Sequence, residues 1–134
     1  MKPLIVDSDM RALIGGAFYP TGHTMVMYAD EQRARSAVEQ LLANGFTGDD
    51  IYFASPTELI AQIAPTVDHG DEPLPSAGTD GATAREFLQL AREGQYALLV
   101  VTAKDDAAER LKEVLASSGF SIARRYYSLA IEDL

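Results

Sequence analysis

Chemistry in this chain has to come from a small set of side chains. There are two histidines, His23 and His69, and no cysteine, which excludes thiolate nucleophiles, disulfides and cysteine-ligated metals. His23 stands where a turn enters an apolar segment, close in sequence to Tyr19 and Thr21. To act as a general base it needs a partner and a cavity, because proton transfer depends on geometry first. The plainer role is a strand-end ring bonded to backbone or water. Tyr19, His23, Tyr28 and Tyr126 are the ligand-binding candidates, which a cleft could gather around a small molecule. Neither histidine has a nucleophile elbow nearby, so no catalytic residue is assigned.

Three further stretches carry the right residue types. Asp68-His69-Gly70-Asp71-Glu72 offers divalent-metal ligands, but its spacing matches neither a calcium loop nor a zinc signature, and it reads as a solvated acidic loop. Ser76-Ala77-Gly78-Thr79-Asp80-Gly81 precedes a helix, where free N–H groups can hold phosphate. Asp80 already supplies an anion there and no P-loop lysine follows, so this reads as a capped helix start. Arg124-Arg125-Tyr126-Tyr127 could stack and neutralise RNA. The segment Ala97-Leu98-Leu99-Val100 gives it no aromatic partner, which favours a solvated edge strand or a dimer seam. No metal and no cofactor is expected.

The elements that would position these groups are legible from periodicity. Residues 1–22 form an apolar arm, with one or two helical turns over Asp9–Ile14 ended by Gly15-Gly16. A strand over His23–Ala29 leads to Asp30, an N-cap for a helix whose stripe is Ala34, Ala37, Val38, Leu41 and Leu42. Gly45 supplies the stop, Phe46 folds back on it, and a strand over Asp50–Ala54 points Ile51 and Phe53 one way and Tyr52 the other. Ser55-Pro56-Thr57-Glu58 starts a second helix that Pro65 should end. An acidic, proline-containing loop over 65–79 follows, then a helix over Asp80–Glu93. The most apolar strand is Tyr96–Ala103. Asp105 or Asp106 caps the next helix, with Ala108, Leu111, Val114 and Leu115 inward, and a last strand at the sheet edge covers Ile122–Ala130.

Two of these stretches are copies of one another. Met25–Phe46 realigns without a gap on Leu99–Phe120, with Val26/Val100, Ala29/Ala103, Ala34/Ala108, Glu39/Glu113, Leu41/Leu115, Gly45/Gly119 and Phe46/Phe120 identical. Each copy reads strand, helix, glycine stop, strand. Two such βαβ halves with a helical insertion over about 55–94 predict an α+β domain over 23–134. The expected form is a ferredoxin-like plait, a four-stranded antiparallel sheet with its first and third strands central. A parallel, doubly wound sheet is the competing arrangement.

Those same segments carry a family resemblance. A strand followed by Asp30-Glu31, a helix reading Ala37-Val38-Glu39-Gln40-Leu41, then Gly45-Phe46 and Asp49-Asp50-Ile51 resembles the bacterial general stress protein (heat-induced stress protein, YflT-like) family. Glu93–Val101 followed by Asp105-Asp106-Ala107-Ala108-Glu109 is similar to that family's closing segment. The resemblance covers about residues 23–130 and implies a stress-associated role, with no established chemistry and no catalytic residues to carry over. Where many members have a glycine-rich apolar hairpin between the halves, this chain has its acidic loop.

Bulk properties narrow the function classes. A chain of 134 residues with 47 % hydrophobic and 23 % charged residues suits one globular domain. The early acids Asp7 and Asp9 break any signal-peptide core, and the apolar run Tyr96–Val101 falls far short of the ~20 residues a bilayer demands. A cytoplasmic protein without membrane contact is expected. A net charge of −9 argues against nucleic acid as partner. The resulting expectation is a non-enzymatic, stress-associated binding or regulatory domain, homodimeric through an exposed sheet face or edge. A cofactor-free enzyme or small-ligand binder with a cleft near His23 is the second reading, and RNA binding through Arg124–Tyr127 the third.

Overall fold

A computed structural model describes residues 1–13, 15–67 and 79–134. Its strands are β1 (Lys2–Pro3), β2 (His23–Tyr28), β3 (Ile51–Ala54), β4 (Tyr96–Val101), β5 (Ile122–Tyr126) and β6 (Ile131–Asp133). Its helices among the described residues are α1 (Glu31–Ala43), α2 (Pro56–Val67), α3 (Thr79–Arg92) and α4 (Asp105–Leu115). The architecture is α+β, with a six-stranded mixed sheet in the order β1-β3-β4-β2-β5-β6. β2 and β4, the two copied strands, lie at the centre and run antiparallel, with Met25 opposite Leu99 and Val26 opposite Leu98. β3 and β5 flank them, also antiparallel, and the one parallel pair among the described residues is the two-residue contact of β1 with β3.

The sheet is wider than the expected four strands at both sides. The last strand is broken: β5 stops at Tyr126, the chain turns through 127–130, and β6 returns beside it with Tyr126 opposite Ile131. β5 is therefore not the edge. At the other side β1 adds to β3. In the arm, the expected one or two helical turns reduce, among the described residues, to one short turn that starts earlier. That turn is Ser8–Met10, and Arg11 beyond it forms an isolated antiparallel bridge with Phe18.

Both broad faces are covered. On one face Val26, Tyr28, Ile51, Leu98, Val100 and Ala123 meet Ala34, Ala37, Val38 and Leu41 of α1 and Leu111, Val114 and Leu115 of α4. These are the predicted stripes with one correction: Leu42 lies off the buried face of α1 and is 47 % exposed. On the opposite face Met25, Met27, Ala97 and Leu99 pack on Leu59 and Ile63 of α2, on Phe87 and Leu88 of α3, and on Leu4, Met10, Phe18 and Tyr19 of the arm. Burial of one medium apolar side chain stabilises by roughly 1.5–3 kcal/mol, so this second layer is a core in its own right. An exposed sheet face, one of the two surfaces expected to form a dimer seam, is thus absent among the described residues.

Two local expectations are corrected by the same packing. Pro65 does not end α2, which runs on to Val67. A proline this near the C-terminus removes only one helical hydrogen bond. In exchange, Thr66 and Val67 are buried, the Thr66 hydroxyl donates to the Ile63 carbonyl at 2.8 Å, and it accepts from the Phe18 N–H at 3.0 Å. Neither Asp105 nor Asp106 caps α4: the N-cap is Lys104, and both aspartates lie within the first turn. Asp30 does cap α1, accepting from the Arg33 N–H at 2.8 Å.

Candidate functional site: a groove at the seam of α1 and α4

The copied helices lie side by side, and at one end of their seam the surface opens into a groove of about 290 Å³. Its walls are Phe46, Asp50, Val101, Ala103, Lys104, Asp106, Ala107 and Arg110. Phe46 is placed by the stop of α1. Gly45 takes φ of +92°, a left-handed conformation in which glycine alone is at ease, and the Phe46 N–H then returns to the Leu41 carbonyl at 3.1 Å. The ring that results is buried and carries the Arg110 guanidinium 5.2 Å from its centroid. The torsion alone calls for glycine, since a Cβ at 45 would meet Arg110 Nε at 3.4 Å, an ordinary van der Waals distance.

The charges of the groove are unequally committed. Asp50 Oδ2 accepts from the Thr47 N–H at 2.8 Å and from the Thr47 hydroxyl at 3.1 Å, which closes the turn into β3. Asp106 pairs with Arg110 at 3.2 Å along α4. Lys104 is exposed and has no ion pair or hydrogen bond from its side chain among the described residues. The apolar floor of Phe46, Val101, Ala103 and Ala107 is therefore flanked by one uncommitted ammonium. Such a surface suits a small amphipathic molecule bearing an acidic group.

The four candidates named from sequence are not gathered in one place. Tyr19 and Tyr126 do meet, edge to face with centroids 4.8 Å apart, but inside the core of the second face. The Tyr19 hydroxyl donates to the carbonyls of Tyr127 at 2.7 Å and Ala130 at 3.0 Å, so it fastens the β5–β6 turn to the arm. His23 is half-buried at the start of β2, its Nδ1 3.0 Å from the Thr21 carbonyl and its ring 6.0 Å from that of Tyr52, over which Lys2 Nζ lies at 4.6 Å. Tyr28 is at the other end of β2, in the α1–α4 layer. Its hydroxyl donates to Ser118 Oγ at 3.0 Å, and burial pushes its pKa up.

The Arg124–Tyr127 segment is divided by strand alternation. Arg124 pairs with Glu86 of α3 at 3.1 Å and with Asp133 at 2.8 Å. Arg125 faces the other way, donating to the Thr102 carbonyl at 3.1 Å and to Asp105 at 3.0 Å, with its guanidinium 4.6 Å from the Tyr127 ring centroid. Tyr126 is interior. The four residues do not present a common stacking surface. The acidic stretch Asp68–Glu72 and the Ser76–Gly78 part of the phosphate-type turn lie outside the described residues.

Sequence reasoning passed over Phe46, Asp50, Val101, Lys104 and Arg110 as site residues. One signal was present: aligned on its own repeat, the chain has Lys104 where the first half has Asp30. No helix among the described residues is long and apolar enough to cross a membrane. Comparison of the chain with protein-family models, with curated proteins and with solved structures finds no match in any of the three.

Proposed function

We propose that this chain is a non-enzymatic binding or regulatory module whose contact site is the α1–α4 groove. The observation that carries the reading is the pairing of an apolar floor with Lys104, the one groove charge left uncommitted. Support also comes from how the other polar groups are used. Arg125, Arg124, the buried Thr24–Thr102 hydroxyl pair at 2.7 Å and the Tyr28 hydroxyl all bind elements together. The stress association rests on the residue resemblance of the two halves. As for fold type, the antiparallel order β3-β4-β2-β5 and the two βαβ halves support a ferredoxin-like plait, here widened by β1 and β6 and covered on its second face.

The test uses an apolar sulfonate, anilinonaphthalene sulfonate, as fluorescent probe. Saturable binding to the native chain that is lost in Lys104→Glu and in Ala107→Arg supports the groove. Equal binding by all three proteins refutes it. Self-association is decided separately by light scattering. Of the two expected dimer surfaces only a sheet edge remains among the described residues, and there β1 carries Pro3 and β6 carries exposed Glu132 and Asp133, residues that oppose strand addition. A concentration-independent monomer mass removes the homodimer from the reading.

A further inference from the structure

The chain contains a single asparagine, Asn44, and the residue after it is Gly45. Together they form the stop of α1: Asn44 is the C-cap, its side-chain amide donates to the Gln40 carbonyl at 2.7 Å, and Gly45 follows in the left-handed region. Both are exposed. At the same place in the second half stands Ser118-Gly119, which has no side-chain amide.

Asparagine before glycine is the pairing most open to ring closure, because glycine has no Cβ to shield its backbone nitrogen. The Gly45 N–H makes no hydrogen bond among the described residues, so no acceptor protects it. The backbone torsion does. Closing the five-membered ring requires a strongly negative ψ at the asparagine, which brings the following nitrogen beside the side-chain carbonyl carbon. Asn44 has φ −115° and ψ 32°, so the Gly45 nitrogen lies on the far side. Closure requires the stop after α1 to open, with loss of the Phe46 N–H bond to the Leu41 carbonyl and of the Asn44 amide bond to the Gln40 carbonyl.

We infer that Asn44–Gly45 is a self-modification site, sealed by the closed stop of α1 and released when that stop opens. A solvent hydroxide takes the Gly45 amide proton, and the nitrogen attacks Asn44 Cγ. The new C–N bond forms as the Cγ–Nδ2 bond breaks, and ammonia leaves. Water then opens the succinimide at either carbonyl, giving aspartate or isoaspartate. In sum one water is consumed and one ammonia released, with no oxidant or reductant. The product places a carboxylate at the negative end of the α1 dipole, opposite the Gln40 carbonyl to which the amide had donated. Isoaspartate also lengthens the backbone by one methylene just before Phe46, the residue that carries Arg110 and floors the groove. Opening of the stop is thereby recorded covalently next to the contact site.

The experiment incubates the full chain at mildly alkaline pH, in buffer and in denaturing urea, and follows intact mass with peptide mapping. The expected result is a gain of about 1 Da at residue 44. It should be slow in buffer and at least about tenfold faster in urea, as gating by local opening requires. Asn44→Ser, which copies Ser118, should stay folded and show no gain at this position in either condition. Equal rates with and without urea overturn the gating. Absence of a gain at residue 44 in urea overturns the site itself.

Discussion

Asp30 and Lys104 occupy equivalent places ahead of α1 and α4, and they differ in sign. Asp30 accepts from the Arg33 N–H at 2.8 Å and pairs with its guanidinium at 2.6 Å. Lys104 has a similarly extended backbone (φ −92°, ψ 143°) but offers the first turn of α4 no side-chain acceptor. Lys104→Asp should therefore create a cap in a backbone already shaped for one. A capping oxygen is worth about 1 kcal/mol, with a range of about 0.5–2. Exchanging a cation for an anion at the positive end of the helix adds about 0.3–1 kcal/mol. Against this, the new carboxylate joins Asp105 and Asp106 in the next two positions and Asp50 across the groove. Exposed like-charge contacts of that kind cost roughly a few tenths of a kcal/mol each. The net expectation is a gain of about 1 kcal/mol, or roughly 3–5 °C in Tm for a chain of this length. Urea denaturation at physiological salt measures it, with Asp30→Ala as the reference for what a cap is worth in this fold. A loss of about 1 kcal/mol for Asp30→Ala alongside no gain for Lys104→Asp would falsify the capping argument, because water would then be satisfying the α4 donors equally well.

Other perturbations test the remaining polar contacts. Arg125 is 7 % exposed in its side chain while its partner Asp105 is 94 % exposed, so the two ends of this pair should respond unequally. Asp105→Ala is expected to cost less than about 1 kcal/mol, as for a surface pair. Arg125→Ala should cost about 2–4 kcal/mol, since it leaves a gap and strips the Thr102 carbonyl of its donor; equal costs in urea melts would show the charge pair to be the main contribution. The Glu58 carboxyl is held below its usual range, first by the Ser55 N–H and then by the Ser55 hydroxyl. Its contribution to stability is thus present above the ordinary glutamate value and lost as pH falls through the lowered one. Glu58→Gln should narrow the stability gap to wild type on acidification through that interval, and a gap unchanged down to strong acid contradicts the assignment. Burial raises the Tyr28 pKa, so its hydroxyl favours folding below the ordinary tyrosine value and that benefit disappears as pH rises through the raised one. Tyr28→Phe should cost about 1 kcal/mol at neutral pH. It should also flatten the alkaline end of the stability curve, and an unchanged alkaline limb rules out Tyr28 as the titrating group.

Much of the architecture was readable from residue order because it follows from local rules. The identity of Gly45-Phe46 with Gly119-Phe120 announced two helix stops, and the stripes Ala34–Leu41 and Ala108–Leu115 announced two helices sharing one layer. The continuous apolar character of Met25–Tyr28 and Ala97–Val101 marked β2 and β4 as central. That continuity also carried information the periodic reading left unused. A strand buried on both faces needs two covering layers, and α2, α3 and the arm are the second one. The break between β5 and β6 was not visible in Tyr127–Ala130, which has neither glycine nor proline; the turn is closed by the Tyr127 N–H to the Ala130 carbonyl at 2.8 Å and fastened from outside by the Tyr19 hydroxyl.

The sequence by itself determined the repeat, the helix stops, the strand faces and the exclusion of thiol chemistry, because each depends on side-chain type and on spacing within a few residues. Only the tertiary structure decided where polar groups meet. His23 and Tyr28 are on β2 and Tyr126 is on the adjacent β5, yet strand alternation and strand direction send them to different faces and ends. Phe46, Asp50, Lys104 and Arg110 converge on one groove because α1 and α4 pack side by side, a relation between distant segments that no local pattern encodes.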